Sequence, residues 1–125
     1  WYTQGEDDIS RVRVARSGDG GRRFSAPLDL DPGEAIGRVD LAWHGDGFLL
    51  SWLSESEGGT LRLARFDASG QALGRHDLRQ VYGGRSSGFP RLLALDQERS
   101  LIAWTSVDSE THAPRVRLLS LRFND

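Results

Sequence analysis

Leu49-Leu50-Ser51-Trp52, with Leu53-Ser54-Glu55 after it, returns 52 residues later as Leu101-Ile102-Ala103-Trp104, with Thr105-Ser106-Val107 after it. Trp1-Tyr2-Thr3-Gln4 is the same stretch met once more, 51 residues ahead of Trp52. Each tryptophan leads into a polar loop and then into a segment where arginine alternates with apolar residues: Arg11-Val12-Arg13-Val14, Leu61-Arg62-Leu63 and Val116-Arg117-Leu118. Upstream, Leu41-Ala42-Trp43 corresponds to Leu93-Ala94-Leu95; downstream, Ala15-Arg16 and Gly21 correspond to Ala64-Arg65 and Gly70. A period of two is that of a strand with one wet face, and no window carries a helical period. Glycine-rich or polar breaks, such as Ser17 to Gly21, Gly45 to Gly47, Ala68 to Gly70 and Gly83 to Gly88, recur about every eight to twelve residues. This is the spacing of short strands joined by tight turns.

A repeat near fifty residues with room for four short strands is the unit of a β-propeller blade. With the strands of a blade lettered A to D outward from the axis, the reading is all-β, a partial β-propeller of about two and a half four-stranded antiparallel blades. Residues 1–36 form the end of one blade, 37–87 a complete blade and 88–125 an incomplete one. The first retains C at Arg11 to Ser17 and D at Arg23 to Leu30. The second has A at Arg38 to His44, B at Phe48 to Ser54, C at Thr60 to Phe66 and D at Gln71 to Arg79. The third has A at Pro90 to Leu95, B at Ser100 to Ser106 and C at Pro114 to Phe123. A propeller closes with ~4 to 8 blades, so the expected partners are the remaining blades or further copies of the chain. The absence of an initiator methionine before Trp1 and of any leader points the same way, to a piece of a longer chain.

The composition narrows the chemistry. The 125 residues carry 16 basic against 18 acidic side chains, for a net charge of -2, without cysteine or methionine. No disulfide framework or thiolate metal site can form. Near-neutral charge speaks against binding to nucleic acid, and no apolar run is long enough for a membrane span. Every basic residue is arginine, so each cation can present a planar fork to a carboxylate. His44, His76 and His112 have no ligand spacing; no metal or other cofactor is expected. Trp43, Trp52 and Trp104 recur at blade positions and are expected in packing between sheets.

At the first C-to-D turn, Ser17-Gly18-Asp19-Gly20-Gly21-Arg22-Arg23-Phe24 resembles the Asp-box, the bacterial neuraminidase repeat Ser-x-Asp-x-Gly-x-Thr-aromatic. Ser17, Asp19, Gly21 and Phe24 fit it, and Arg23 stands where threonine is usual. Asp67-Ala68-Ser69-Gly70-Gln71 is a decayed second copy. Asp19 is expected to accept amide bonds of its own turn, and Phe24 to tuck between adjacent sheets. The chain is therefore similar to the sialidase-like propellers, and the resemblance implies a six-bladed bacterial parent that is secreted or periplasmic. It also implies a pocket on the face of the D-to-A and B-to-C loops, opposite the box. The candidate ligand-binding residues there are Arg38, Asp40, Tyr82, Arg85 and Arg91, with Glu6, Asp7, Asp8, Glu55, Glu57, Asp108 and Glu110 as nearby acids. Sialidases clamp a sugar carboxylate with three arginines and attack through a tyrosine, but no family motif maps onto these positions, so no residue is assigned a catalytic role. Two functions follow as expectations: a glycan- or protein-binding scaffold without a complete active site in this chain, or part of an exo-sialidase or other glycoside hydrolase whose remaining groups lie elsewhere.

Overall fold

The structure, a computed structural model, describes residues 1–81 and 88–124, apart from the side chains of residues 57, 79 and 80. It is all-β. Among the described residues ten strands run in chain order: β1 Tyr2–Gln4, β2 Ser10–Val14, β3 Leu28–Asp29, β4 Ala35–His44, β5 Gly47–Ser54, β6 Thr60–Phe66, β7 Ala72–Gln80, β8 Arg91–Ala94, β9 Arg99–Val107 and β10 Pro114–Arg122. The helical content among the described residues is one 3₁₀ turn, Ser56–Gly58. The strands form three antiparallel meanders, ordered β1-β2-β3, β4-β5-β6-β7 and β8-β9-β10. Each strand pairs with its neighbour in sequence, so every connection is local.

Alternation along the middle sheet explains how the three sheets stack. Leu49, Leu53, Leu61 and Leu63 share a cluster with Ile102, Trp104 and Leu121 of the last sheet. The intervening side chains, Leu50, Trp52, Ala64 and Phe66, share the other cluster with Val12 and Leu30 of the first sheet. The middle sheet is thus apolar on both faces and buried on both, which is why Leu49-Leu50 reads as a continuous apolar run.

The tryptophan repeat reappears as a repeat of register. Trp52 lies opposite Arg62, and Trp104 opposite Arg117. Trp1 and Arg13 exchange backbone bonds of 2.7 and 2.8 Å, which puts them opposite one another as well. Trp52 is fully buried and Trp104 is 6% exposed, each in the gap between its own sheet and the preceding one. The outer strand extends the series. Arg13 pairs with Asp29 and Arg62 with Asp77, with ion-pair distances of 2.6 and 3.1 Å. In the first and middle sheets tryptophan, arginine and aspartate thus lie side by side across the sheet.

Local details depart from the sequence reading. The inner strand of the middle sheet begins at Ala35, not at Arg38, because it runs through a bulge in which Gly37 and Arg38 have φ of 97° and 56°. A glycine beside a charged residue reads as a strand start, whereas here it is the irregularity that lets the strand continue. Gly37 also lets Tyr2 approach, since a Cβ there would lie 3.0 Å from the Tyr2 ring. The outer strand expected at Arg23 to Leu30 is reduced to Leu28–Asp29. Ser25 still donates a ladder-like bond of 2.8 Å to the Arg16 carbonyl. Pro27, lacking an N–H, interrupts the ladder between that bond and β3.

Candidate functional site

Three of the candidate residues, Arg38, Asp40 and Arg91, lie on the inner strands β4 and β8, where the structure brings two of them together. Asp40 accepts a 2.7 Å bond from the Leu92 amide and stands 3.4 Å from the Arg91 guanidinium. Arg91 is largely exposed, so the ion pair itself contributes little. The amide bond to a part-buried carboxylate is the stronger tie between the middle and last sheets. Arg38, two residues before Asp40 on β4, lays its guanidinium over the Phe89 ring at 5.3 Å. Its left-handed backbone is uncommon for a residue with a Cβ and is fixed by the bulge. Tyr82 and Arg85 lie outside the described residues.

Asp40 also lines a groove of about 440 Å³ between the first sheet and β4, whose walls include Trp1, Phe24, Val39 and Leu41 with Arg13 at the rim. A second groove of about 350 Å³ shares Val14, Ala15 and Leu41 with it and extends to Ser17, Phe48 and Trp43. Here two expectations are corrected. Trp43 is 66% exposed, so unlike Trp52 and Trp104 it does not pack between sheets. The reason is the reach of the first sheet: Leu41 and Trp43 lie opposite Leu50 and Phe48 and share their face, turned to the first sheet, but the short strands of that sheet leave them 59% and 66% exposed. Phe24 is 64% exposed and borders the groove without entering the core, because the strand that would have carried it inward is interrupted. The signal for Trp43 was present in the repeat, which aligns it with Leu95 and not with Trp52 or Trp104.

The Asp-box turn is held from within. Asp19 Oδ1 accepts the amides of Arg22 and Arg23 at 3.1 and 2.9 Å and the Ser17 hydroxyl at 2.9 Å, while the Gly21 amide donates to Ser17 Oγ at 2.8 Å. Gly20 and Gly21 have positive φ. Asp67 closes the corresponding turn of the middle sheet through Ser69 and Gln71. Asp96 and Asp108 do likewise for the turns before β9 and β10. These bonds hold all four carboxyls below the ordinary value of 3.8: the Arg23 amide leads for Asp19, the Ser69 hydroxyl for Asp67, the Glu98 amide for Asp96 and the Thr111 amide for Asp108. A carboxyl whose folded pKa is depressed contributes stability above its unfolded pKa and loses it as pH falls toward the folded one. Thermal unfolding followed by circular dichroism is therefore expected to show a constant midpoint from neutral pH down to about 5 and a falling one below about 4. A midpoint unchanged to pH 2 would show that the turns do not need their carboxylates.

One group of residues went unread in the sequence. Asp31, with a fully buried side chain, accepts the Gly33 and Glu34 amides at 3.1 and 2.7 Å through Oδ1. Through Oδ2 it accepts Trp52 Nε1 at 2.8 Å and the Arg62 guanidinium at 3.3 Å. In Leu30-Asp31-Pro32-Gly33 the aspartate reads as a turn residue, and nothing local announces partners 21 and 31 positions away. The arrangement is a filled network that locks the loop ahead of β4 onto the tryptophan of the repeat. All the carboxylate's strong acceptor sites are used, so it has the character of a structural clamp. Among the described residues no group of three histidine, aspartate or glutamate side chains could hold a metal ion, and no helix is long and apolar enough to cross a membrane. Compared with protein families, with curated proteins and with solved structures, the chain finds no match in any of the three.

Proposed function

We propose that the chain is part of a sialidase-like Asp-box β-propeller that works as a binding scaffold, with a glycan as its ligand and the inner-strand edge as its ligand surface. The observation that carries this reading is the exposure of Trp43 beside Leu41, an indole that the repeat leaves out of packing and that lines a groove with Arg16 and Ser17. An aromatic face in a groove that also holds a guanidinium and a hydroxyl suits a sugar ring, which offers C–H groups to the first and hydroxyls to the others. The propeller part of the proposal is supported by three consecutive meanders that stack face to face with one register of tryptophan opposite arginine. Binding is favoured over hydrolysis because Arg91 and Asp40, two groups a carboxylate-clamping hydrolase would need facing its substrate, are engaged with each other and with the β8 backbone.

The test is titration with sialyllactose and with neutral oligosaccharides, followed by tryptophan fluorescence. Trp43→Ala is expected to weaken binding about tenfold or more while leaving the thermal midpoint in place, since the side chain is exposed. Equal affinity of Trp43→Ala and the unaltered chain, or release of sugar from a fluorogenic sialoside, would overturn the binding reading.

A further inference from the structure

The first and middle sheets each carry their arginine between a tryptophan on one side and an aspartate on the other: Trp1, Arg13 and Asp29; Trp52, Arg62 and Asp77. The last sheet has Trp104 opposite Arg117 and stops there, because β10 is its outer strand. Arg117 is exposed and makes no hydrogen bond or ion pair among the described residues. Beside it, Val116 is 75% and Leu118 67% exposed. A nine-residue strand edge that no strand among the described residues covers, with two exposed apolar side chains on one face, is a ready template for one more strand.

We infer that the β10 edge receives an extended, antiparallel segment carrying an Asp-Leu pair, with the aspartate opposite Arg117. The two complete examples specify the occupant. In both, the outer strand reads Asp-Leu, as Asp29-Leu30 and Asp77-Leu78. In both, the aspartate turns to the arginine while the leucine turns to the opposite side: Leu30 is buried in the cluster between the first and middle sheets, and Leu78 packs against that between the middle and last. On β10 the same geometry sets the carboxylate on the Trp104 side of the sheet, against Arg117, and the leucine on the far side, alongside Val116 and Leu118. The residue before the aspartate falls opposite Leu118, as Leu28 falls opposite Val14 and His76 opposite Leu63. The partner is thus recognised by three chemistries at once: a strand backbone for the open ladder, a carboxylate for the guanidinium and an apolar side chain for the exposed pair. This inference needs only the three sheets and their register; it holds whether or not the ring closes.

The test appends to the chain, through a flexible glycine-serine linker, a copy of the segment 72–80, Ala-Leu-Gly-Arg-His-Asp-Leu-Arg-Gln. The tether supplies an effective concentration of about a millimolar, so that even a weak strand addition registers. Amide hydrogen exchange across β10 is expected to slow about tenfold relative to the unextended chain. The slowing is expected to vanish when the appended aspartate is replaced by alanine, or when Arg117→Ala is made in the chain. Placing arginine in the appended strand together with Arg117→Asp should restore it. Substitutions in the appended strand leave the folded chain untouched, so misfolding cannot mimic the loss. Equal protection with and without the appended aspartate would overturn the inference. So would protection at β7 or β3 in place of β10, or no protection at all while β9 amides stay protected. A concentration-dependent dimer that protects β10 without the appended strand would also overturn it, in favour of edge-to-edge pairing between copies.

Discussion

Trp52→Ala is expected to lower the unfolding free energy by about 3 to 5 kcal/mol, the cost typical of emptying a buried aromatic site. The side chain is fully buried and stands between the first and middle sheets, among Val12, Leu30, Leu50 and Phe66. Its removal opens a void that strands fixed by their own ladders cannot collapse to fill. It also takes away the indole N–H from Asp31. Trp52→Phe separates the two effects. It keeps most of the apolar volume and loses only the donor, for an expected cost of about 1 to 3 kcal/mol. Urea unfolding followed by circular dichroism measures both. A loss under 1 kcal/mol for Trp52→Ala would mean that the two sheets do not pack on this residue.

Removing the carboxylate has a comparable effect from the other side of the same contact. Asp31→Ala is expected to cost about 3 to 5 kcal/mol, because it leaves a part-buried guanidinium without its nearest buried counter-charge and orphans the Trp52 indole N–H. Two loop amides, of Gly33 and Glu34, lose their acceptor as well. Arg62 keeps Asp77 at 3.1 Å and Glu34 at 3.9 Å, both on its more exposed side, so its charge is only partly compensated. In a double-mutant cycle, Trp52→Phe and Asp31→Ala should be strongly non-additive, since each removes one half of a single hydrogen bond. Additive losses within about 0.5 kcal/mol would show that the indole and the carboxylate act independently. Asp31→Asn discriminates further: it preserves one acceptor oxygen but presents donors to a site that already supplies four, so it should recover little of the loss.

Strands β5, β6 and β9 were legible in the sequence because their signal is local. A period of two, the breaks at Gly45 to Gly47 and Ala68 to Gly70, and the 52-residue return of the Leu-Leu-Ser-Trp stretch together specify four strands in order for the middle sheet and their counterparts on either side. What escaped is non-local or depends on the face a strand turns. The bulge at Gly37 and Arg38 depends on pairing with Leu53 and Ser51, and glycine alone announces an end as readily as an irregularity. The exposure of Trp43 depends on how far the first sheet reaches over β4. The network around Asp31 joins three separate strands and a loop. Of the candidate site, Asp40 and Arg91 were placed on the right strands, but their mutual pairing follows from sheet stacking that composition cannot report. The turn aspartates, by contrast, behave as local chemistry dictates, because all their partners lie within four residues.

Cross-strand nuclear Overhauser effects test directly whether the three meanders are one unit repeated. Across a labelled chain they should place Trp1 opposite Arg13, Trp52 opposite Arg62 and Trp104 opposite Arg117, with indole contacts from Trp52 to Val12 and from Trp104 to Leu49 or Leu63. Finding Trp104 opposite any other residue of β10, or its indole on the side of the last sheet that faces away from β5 and β6, would contradict the repetition.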